Sequence, residues 1–268
     1  MTNPRHRRWG DLTTEDVAAL DPERTVALLP IAATEQHGPH LPLSTDADIA
    51  EGLIAAALDR LGAGIDLLVL PMQGVGLSPE HADFPGTLTL EPETLLAVIC
   101  ETAAGVAAAG LRKLALFNSH GGQSQLLDLA AQRLRRRHGL LAVAINGYRL
   151  WRAEEIFPEA EVRHGIHAGA VETSIMLHLK PDLVRSGRLA AHGSLSARME
   201  GDYERLTPYG RVGFGWQAQD LSPTGAMGDA TLAGAESGRL LVEQAATALA
   251  TLLQEIARLP LDTLKTRD

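Results

Sequence analysis

The sequence predicts an α/β protein in which a largely parallel sheet is covered by helices on both faces. Short, continuously apolar runs alternate with longer amphipathic stretches. A strand buried on both faces reads as such a run, and parallel neighbours need a crossover between them, usually helical. The composition agrees: 45 % hydrophobic and 21 % charged residues over 268 positions is the balance of a chain that folds around a core. Neither a repeat nor a Ser/Pro-rich linker divides it, so a single domain over residues 1–268 is expected.

Residues 26–33 (VALLPIAA) form the first expected strand, followed by a helix over 48–61. Residues 67–70 are the second strand, stopped by Pro71. A long helix over 91–109 is entered through Pro92 and closed by Gly110, where proline and glycine favour a helix start and stop. Residues 113–118 (KLALFN) make the third strand and 123–138 an amphipathic helix. Its Arg133, Arg135, Arg136 and Arg137 read as a solvated face that complements the helix dipole. Residues 140–146 (LLAVAIN) are the fourth strand, 170–179 a helix and 233–259 a long closing helix. Residues 187–229, rich in Gly, Ser and Pro, are expected as long loops near a site or a subunit contact.

The 24 basic and 33 acidic side chains leave a net charge of −9, which argues against a nucleic-acid partner. Met1 to Trp9 holds four Arg/His residues with no apolar stretch behind them. The apolar stretch over 95–111 is interrupted by Glu101, Thr102, Gly105 and Gly110. No signal peptide, no membrane segment and a cytoplasmic location are therefore expected. The single cysteine, Cys100, can form no internal disulfide and no thiolate zinc site, and its apolar neighbours read as core. A metal held here would need histidine and carboxylate ligands.

Ligands of a parallel α/β sheet bind beyond the carboxyl ends of the strands, and there the histidines and acids collect. After the first strand comes Glu35-Gln36-His37-Gly38-Pro39-His40-Leu41-Pro42, running on to Asp46. Residues two apart in an extended segment face one side, so Glu35 and His37 can share a pocket. A turn at Gly38-Pro39, with Pro42, would fold the chain back to present Asp46. Such a set suits zinc, manganese or iron(II); the plainer reading is a polar loop with Asp46 capping the next helix. After the third strand, Asn118-Ser119-His120-Gly121-Gly122 offers His120 as a ligand, or else a simple strand-to-helix turn. His167 precedes the turn Ala168-Gly169-Ala170, and Glu172 lies in the first turn of a helix, where the dipole alone would favour a carboxylate. Alternatively Glu172 is the last ligand, counted with His167 among the catalytic residues, and His167 shuttles protons. Phosphate-loop, dinucleotide, G-x-S-x-G and H-E-x-x-H patterns are all missing. His6, His138, His178 and His192 read as surface or packing residues.

These three stretches, with Glu80-His81 to Phe84-Pro85-Gly86-Thr87, resemble in content and order the signatures of the creatininase (creatinine amidohydrolase) superfamily. The resemblance spans roughly residues 25–240. It implies a three-layer α/β/α sandwich, a ring-like homohexamer and two divalent metal ions per chain, zinc first, with manganese or iron as alternatives. It implies that Glu35 and His120 bind one ion and His37 the other, that Asp46 bridges both, and that Glu172 completes the second. Two cations would acidify a bridging water and polarise an amide carbonyl, while His167 protonates the leaving nitrogen.

Creatininase itself carries a glutamate two residues after the histidine matching His120, with an aromatic between them. Gly121 and Gly122 stand there instead, so hydrolysis of creatinine is not expected. Gln123 replaces an asparagine and is expected to change hydrogen bonding around the site. The Gly-Gly form resembles formamide hydrolases acting on pyrimidine intermediates and the peptidase that trims the mycofactocin precursor. The expected function is thus hydrolysis of a small cyclic amide or formamide. A peptidase of the mycofactocin-trimming type is the alternative, and a non-catalytic metal- or ligand-binding assembly protein the third reading. Trp151, Trp216 and Tyr148 either wall a pocket or pack as ordinary aromatics.

Overall fold

Five parallel strands form the sheet: β1 (His6–Arg8), β2 (Thr25–Ile31), β3 (Asp66–Val69), β4 (Lys113–Asn118) and β5 (Leu141–Asn146), in the order β1-β3-β2-β4-β5. The structure is a computed structural model that describes residues 6–62, 65–210 and 212–265. Four strands stand within two residues of their expected bounds. The edge strand β1 is additional, since three basic residues carry no apolar pattern. Every residue of β2 and β4 is buried, as strands covered on both faces require.

Alternation along β2 divides two cores. Val26 and Leu28 belong to one, and Ala27, Leu29 and Ile31 to the other. Helices α2 (Thr45–Leu58), α6 (Ala170–Leu179) and α9 (Ala235–Arg258) pack on the first face, through Ile49, Leu53, Ile175, Leu249 and Leu253. Helices α3 (Pro92–Ala108) and α4 (Ser124–His138) pack on the second, through Leu95, Ile99, Cys100 and Leu127. The result is the expected three-layer α/β/α sandwich, with Cys100 buried in it. Gly139 ends α4 in the left-handed region at φ 67°, the usual helix stop. The arginine run occupies the last turn of α4.

Helix α2 begins three residues before its expected start, so Asp46 and Asp48 both lie in its first turn. Asp46 is therefore not the N-cap; Ser44 is. Three shorter helices, α1 (Thr14–Ala18), α5 (Glu159–His164) and α7 (Leu195–Met199), join these, with α8 (Ala218–Leu221). The expected loop region over 187–229 is interrupted by α7, α8 and a small antiparallel pair, β6 (Ala191–His192) and β7 (Gly228–Asp229). Among the described residues, no helix is long and apolar enough to cross a membrane.

Candidate metal centre

Register positions the site. Ile31 at the end of β2 pairs with Asn118 at the end of β4, so the chains leaving both strands run out side by side. The segment after β2 turns at Gly38 (φ 65°) and folds back, with Glu35 N–H donating to Leu43 O at 3.2 Å. That return delivers Asp46, on α2, beside Glu35 and His37. From β4 comes His120, and from the turn into α6 come His167 and Glu172. All six predicted residues converge. Their ligand atoms form three sets, each within 4.8 Å: Glu35, Asp46 and His120; His37, Asp46 and Glu172; Glu35, His37 and His167. Asp46 belongs to two of them.

Hydrogen bonds fix which ring nitrogens carry protons. His37 Nδ1 lies 3.1 Å from the carbonyl of Glu35, His120 Nε2 3.0 Å from that of Leu77, and His167 Nε2 2.7 Å from that of Gln36. A carbonyl only accepts, so each of these nitrogens donates. The opposite nitrogens face carboxylates: His120 Nδ1 is 3.2 Å from Glu35 Oε1 and 3.5 Å from Asp46 Oδ2, and His37 Nε2 is 3.7 Å from Asp46 Oδ1. Among the described residues, both Glu35 oxygens, His37 Nε2 and Asp46 Oδ2 are buried without a hydrogen-bond partner. Inward-facing ring nitrogens opposed to carboxylates in a buried site call for a cation between them, and outer N–H groups held by carbonyls are the usual support of metal-binding histidines.

The electrostatics sort the imidazoles. Burial opposes charge on His37 and His120. Yet Asp46 and Glu172 raise His37 to about 9, and Glu35, Asp46 and Glu80 raise His120 to about 10. In the metal-free protein a proton thus takes the cation's place on both. His167 behaves oppositely: burial, then His37 and His81 beside it, hold it well below the usual imidazole range. Burial lifts Glu172 to about 7 against the pull of His37, and burial with neighbouring Glu35 pushes Asp46 up. Glu35 is held well below the carboxylate range because His120, His81 and His167 outweigh its burial.

A second layer of residues holds these side chains. Asn118 accepts from His120 N–H at 3.1 Å and donates to His120 O at 2.6 Å. Gln123 donates to Asn118 Oδ1 at 2.9 Å and accepts from Leu77 N–H at 3.0 Å, so it links both supports of His120. Ala168, the one non-glycine residue with positive φ (54°) among the described residues, donates to Glu172 Oε2 at 2.6 Å. Beneath this turn the buried Glu161 accepts from Ala170 N–H at 2.6 Å and Asp229 N–H at 2.7 Å.

Three site residues escaped the role assignment from sequence. His81, 2 % exposed, has Nε2 3.6 Å from Glu35 Oε1 and stacks 4.3 Å from His167. Glu80 Oε1 lies 3.5 Å from His120 Nε2. The Gln36 amide lies against His81 and His167. The first two sit inside the Glu80-His81 to Thr87 signature, which was the available signal. The aromatics have partners outside the cluster itself. Trp151 packs against the first core, Trp216 donates to Pro208 O at 2.9 Å, and Tyr148 OH meets Ser124 Oγ at 3.1 Å. His178 is exposed, His138 half-buried, and His192 stacks on His40; the side chain of His6 lies outside the described residues. An open cavity of about 630 Å³ lined by Leu195, Met199, Tyr203, Leu206 and Phe214 shares no residue with the cluster.

A parallel α/β/α sandwich that buries imidazoles and carboxylates at its strand ends defines the class: an α/β protein with a centre that suits metal ions. The chain belongs to the creatininase family, whose sequence model, described as creatinine amidohydrolase, matches residues 10–253. It is 34 % identical over 250 residues to a mycofactocin precursor peptide peptidase of Mycobacterium ulcerans (strain Agy99), covering 89 % of this chain and 90 % of that protein. It is 31 % identical over 204 residues to a creatinine amidohydrolase of Pseudomonas putida, covering 68 % and 75 %. Among solved structures, one named creatininase Mn is 28 % identical with a TM-score of 0.73, over 92 % of this chain and 97 % of that one. A mutant creatininase of Zn-Zn type is 27 % identical at the same TM-score and coverage, 0.73, 92 % and 97 %. The family and its structural neighbours are metal-dependent hydrolases, and the non-catalytic reading is set aside.

Proposed function

We propose that the chain is a two-metal amidohydrolase that cleaves a non-peptide amide C–N bond in a small molecule, a cyclic amide or a formamide. One ion would be held by Glu35, Asp46 and His120, the other by His37, Asp46 and Glu172. The observation that carries the reading is the opposition of inward-facing His37 and His120 nitrogens to buried, unpartnered carboxylates. These ligand types suit zinc first, then manganese or iron(II), and such ions would activate a water nucleophile and polarise the scissile carbonyl.

The chain's own groups supply the proton transfers. His167, its Nε2–H tied to Gln36 O, turns a bare Nδ1 inward. A nitrogen that is neutral at rest can take a proton from the nucleophile and return it to the leaving nitrogen. Glu172 accepts the Ala168 N–H next to His167, which couples that ligand to the shuttle.

Burial favours a small substrate. Glu35, His37, Asp46 and His120 are at most 4 % exposed, and residues 225–227 are tied to their neighbours, Gly225 O accepting from Gln36 Nε2 and Met227 N–H donating to His167 O. A peptide substrate is the second reading, motivated by the 34 % identity to the mycofactocin precursor peptide peptidase. Assembly into a ring of six copies belongs to the same proposal. The exposed Tyr203, Leu206, Val212 and Phe214 would give subunits an apolar contact, and sedimentation reads the assembly size.

The test is a panel of cyclic amides, formamides and short peptides offered to zinc- or manganese-loaded protein, with amine release measured. Turnover of small amides is expected. Release from peptides alone transfers the assignment to the second reading. Fewer than one metal per chain after reconstitution overturns both.

A further inference from the structure

Four imidazoles surround the cluster, and one is wired in reverse. His37, His120 and His167 donate outward to backbone carbonyls and turn their other ring nitrogens inward. His81 Nδ1 instead lies 2.8 Å from Gln36 Nε2. The orientation of that amide is fixed at both ends. Gln36 Oε1 accepts the Gly38 N–H at 2.9 Å, and Gln36 Nε2 donates to Gly225 O at 3.0 Å. Gly225, at φ 75°, leaves room for the amide, since a Cβ there would come within 2.6 Å of Gln36 Nε2. The nitrogen facing His81 is therefore a donor, and His81 Nδ1 must accept. The proton of the neutral ring is left on Nε2, 3.6 Å from Glu35 Oε1.

We propose that His81 is a positioning residue of the metal centre rather than a fourth imidazole ligand: the Gln36 amide fixes it as the Nε2–H tautomer, and that N–H, facing Glu35 Oε1 from 3.6 Å, steers the carboxylate by its dipole across a gap longer than a hydrogen bond. The inference rests on reading Glu35 as a metal ligand. Its chemistry is that of ligand support. A ligating carboxylate is oriented by the polar groups that face it, and losing such a support weakens metal affinity about tenfold to a hundredfold without removing a coordination position. The ring is held in plane by His167, stacked at 4.3 Å with 26° between planes. Gln36 lies between Glu35 and His37 in sequence, so one tripeptide supplies two ligands and sets the tautomer of a third side chain.

Nitrogen-15 NMR of histidine-labelled protein, with and without zinc, tests this. Long-range proton–nitrogen correlations are expected to show His81 protonated at Nε2 and bare at Nδ1. On adding zinc, His37 Nε2 and His120 Nδ1 take up the shift of metal-bound nitrogens, while His81 Nε2 keeps its proton. Gln36→Glu, which replaces the donor by an acceptor, is expected to move the His81 proton to Nδ1. His81→Ala is expected to lower zinc affinity about tenfold to a hundredfold with the zinc stoichiometry unchanged. A bare His81 Nε2 in the parent protein, or a zinc-bound shift on that nitrogen, overturns the proposal. A chain that binds no zinc at all overturns the metal centre itself, a separate result. The parent spectrum decides the tautomer even where a variant does not fold.

Discussion

Gly121 and Gly122 are adjacent, yet an alanine at each meets different surroundings. A Cβ on Gly121 meets nothing within 4 Å. A Cβ on Gly122 overlaps Glu80 Oε1 and stands 2.6 Å from His120 Nε2. Glu80 ends a flexible side chain and can swing aside, so the imidazole decides the outcome. Ordinary contact begins at 3.4 Å, so a shift of about 0.8 Å is required. His120 has little slack to give. Its Nε2 bonds Leu77 O at 3.0 Å, its backbone N–H bonds Asn118 Oδ1 at 3.1 Å, and its Nδ1 stands 3.2 Å from Glu35 Oε1. Displacing a supported ligand on this scale costs metal affinity about tenfold to a hundredfold, or about 1.4–2.7 kcal/mol.

Zinc titration calorimetry of Gly122→Ala and Gly121→Ala measures the difference directly. Gly122→Ala is expected to lose that affinity and Gly121→Ala to bind as the parent does. Equal affinities in the two variants refute the reasoning, because composition and helix propensity change identically in both. Gly122 thus has a physical reason to be glycine here: the volume a side chain would take is bounded by the His120 imidazole, which cannot swing aside as Glu80 can.

Asp46→Ala removes the carboxylate common to the two sets proposed to hold ions, Glu35-Asp46-His120 and His37-Asp46-Glu172, so elemental analysis should find less than one zinc per chain; Glu172→Ala, which touches one of them, should leave one. Two zinc ions retained by Asp46→Ala contradict the shared role. In the metal-free protein His37 at about 9 and His120 at about 10 are protonated near neutral pH, so zinc must displace protons and its affinity falls as pH is lowered. Calorimetry in two buffers of different ionisation enthalpy reads that release, and identical heats in both would falsify it. Gly238 lies where α9 crosses α6, and a Cβ there would overlap the Ser174 carbonyl and come within 3.0 Å of His178 Cβ. Gly238→Ala should cost about 1–3 kcal/mol by overpacking, visible as a lower urea midpoint; an unchanged midpoint contradicts so close a crossing.

Much of the fold was legible because both periodicities it uses leave marks on residue type. The runs VALLPIAA, KLALFN and LLAVAIN read as strands buried on both faces, and the proline and glycine at the ends of α3 stand where expected. The strand β1 was not legible, being short, basic and held by pairing with β3 rather than by its own pattern. The start of α2 was misjudged because Leu43-Ser44-Thr45 carries no apolar face; Thr45 is held instead by its bonds to Pro42 O. That error mattered little for function, since a one-turn advance still brings Asp46 to the same cleft.

For the site, residue identity and residue role separate. Glu35, His37, Asp46, His120, His167 and Glu172 were found because each follows a strand or opens a helix. What each imidazole does depends on the partner of its outer nitrogen. For three of them that partner is the main-chain carbonyl of Glu35, Leu77 or Gln36, a group any residue offers, so no sequence pattern marks it. The fourth is different in kind. His81 takes its tautomer from a side-chain amide, and replacing Gln36 changes the donor itself. Strand alternation turned Gln36 away from the face shared by Glu35 and His37, which made it look like a spacer. In the folded chain its amide nonetheless meets the stacked His81 and His167, the rings that also stand beside Glu35. A residue between two ligands can therefore govern the proton inventory of the site, and the position that alternation discards is the one where that control is encoded in residue type.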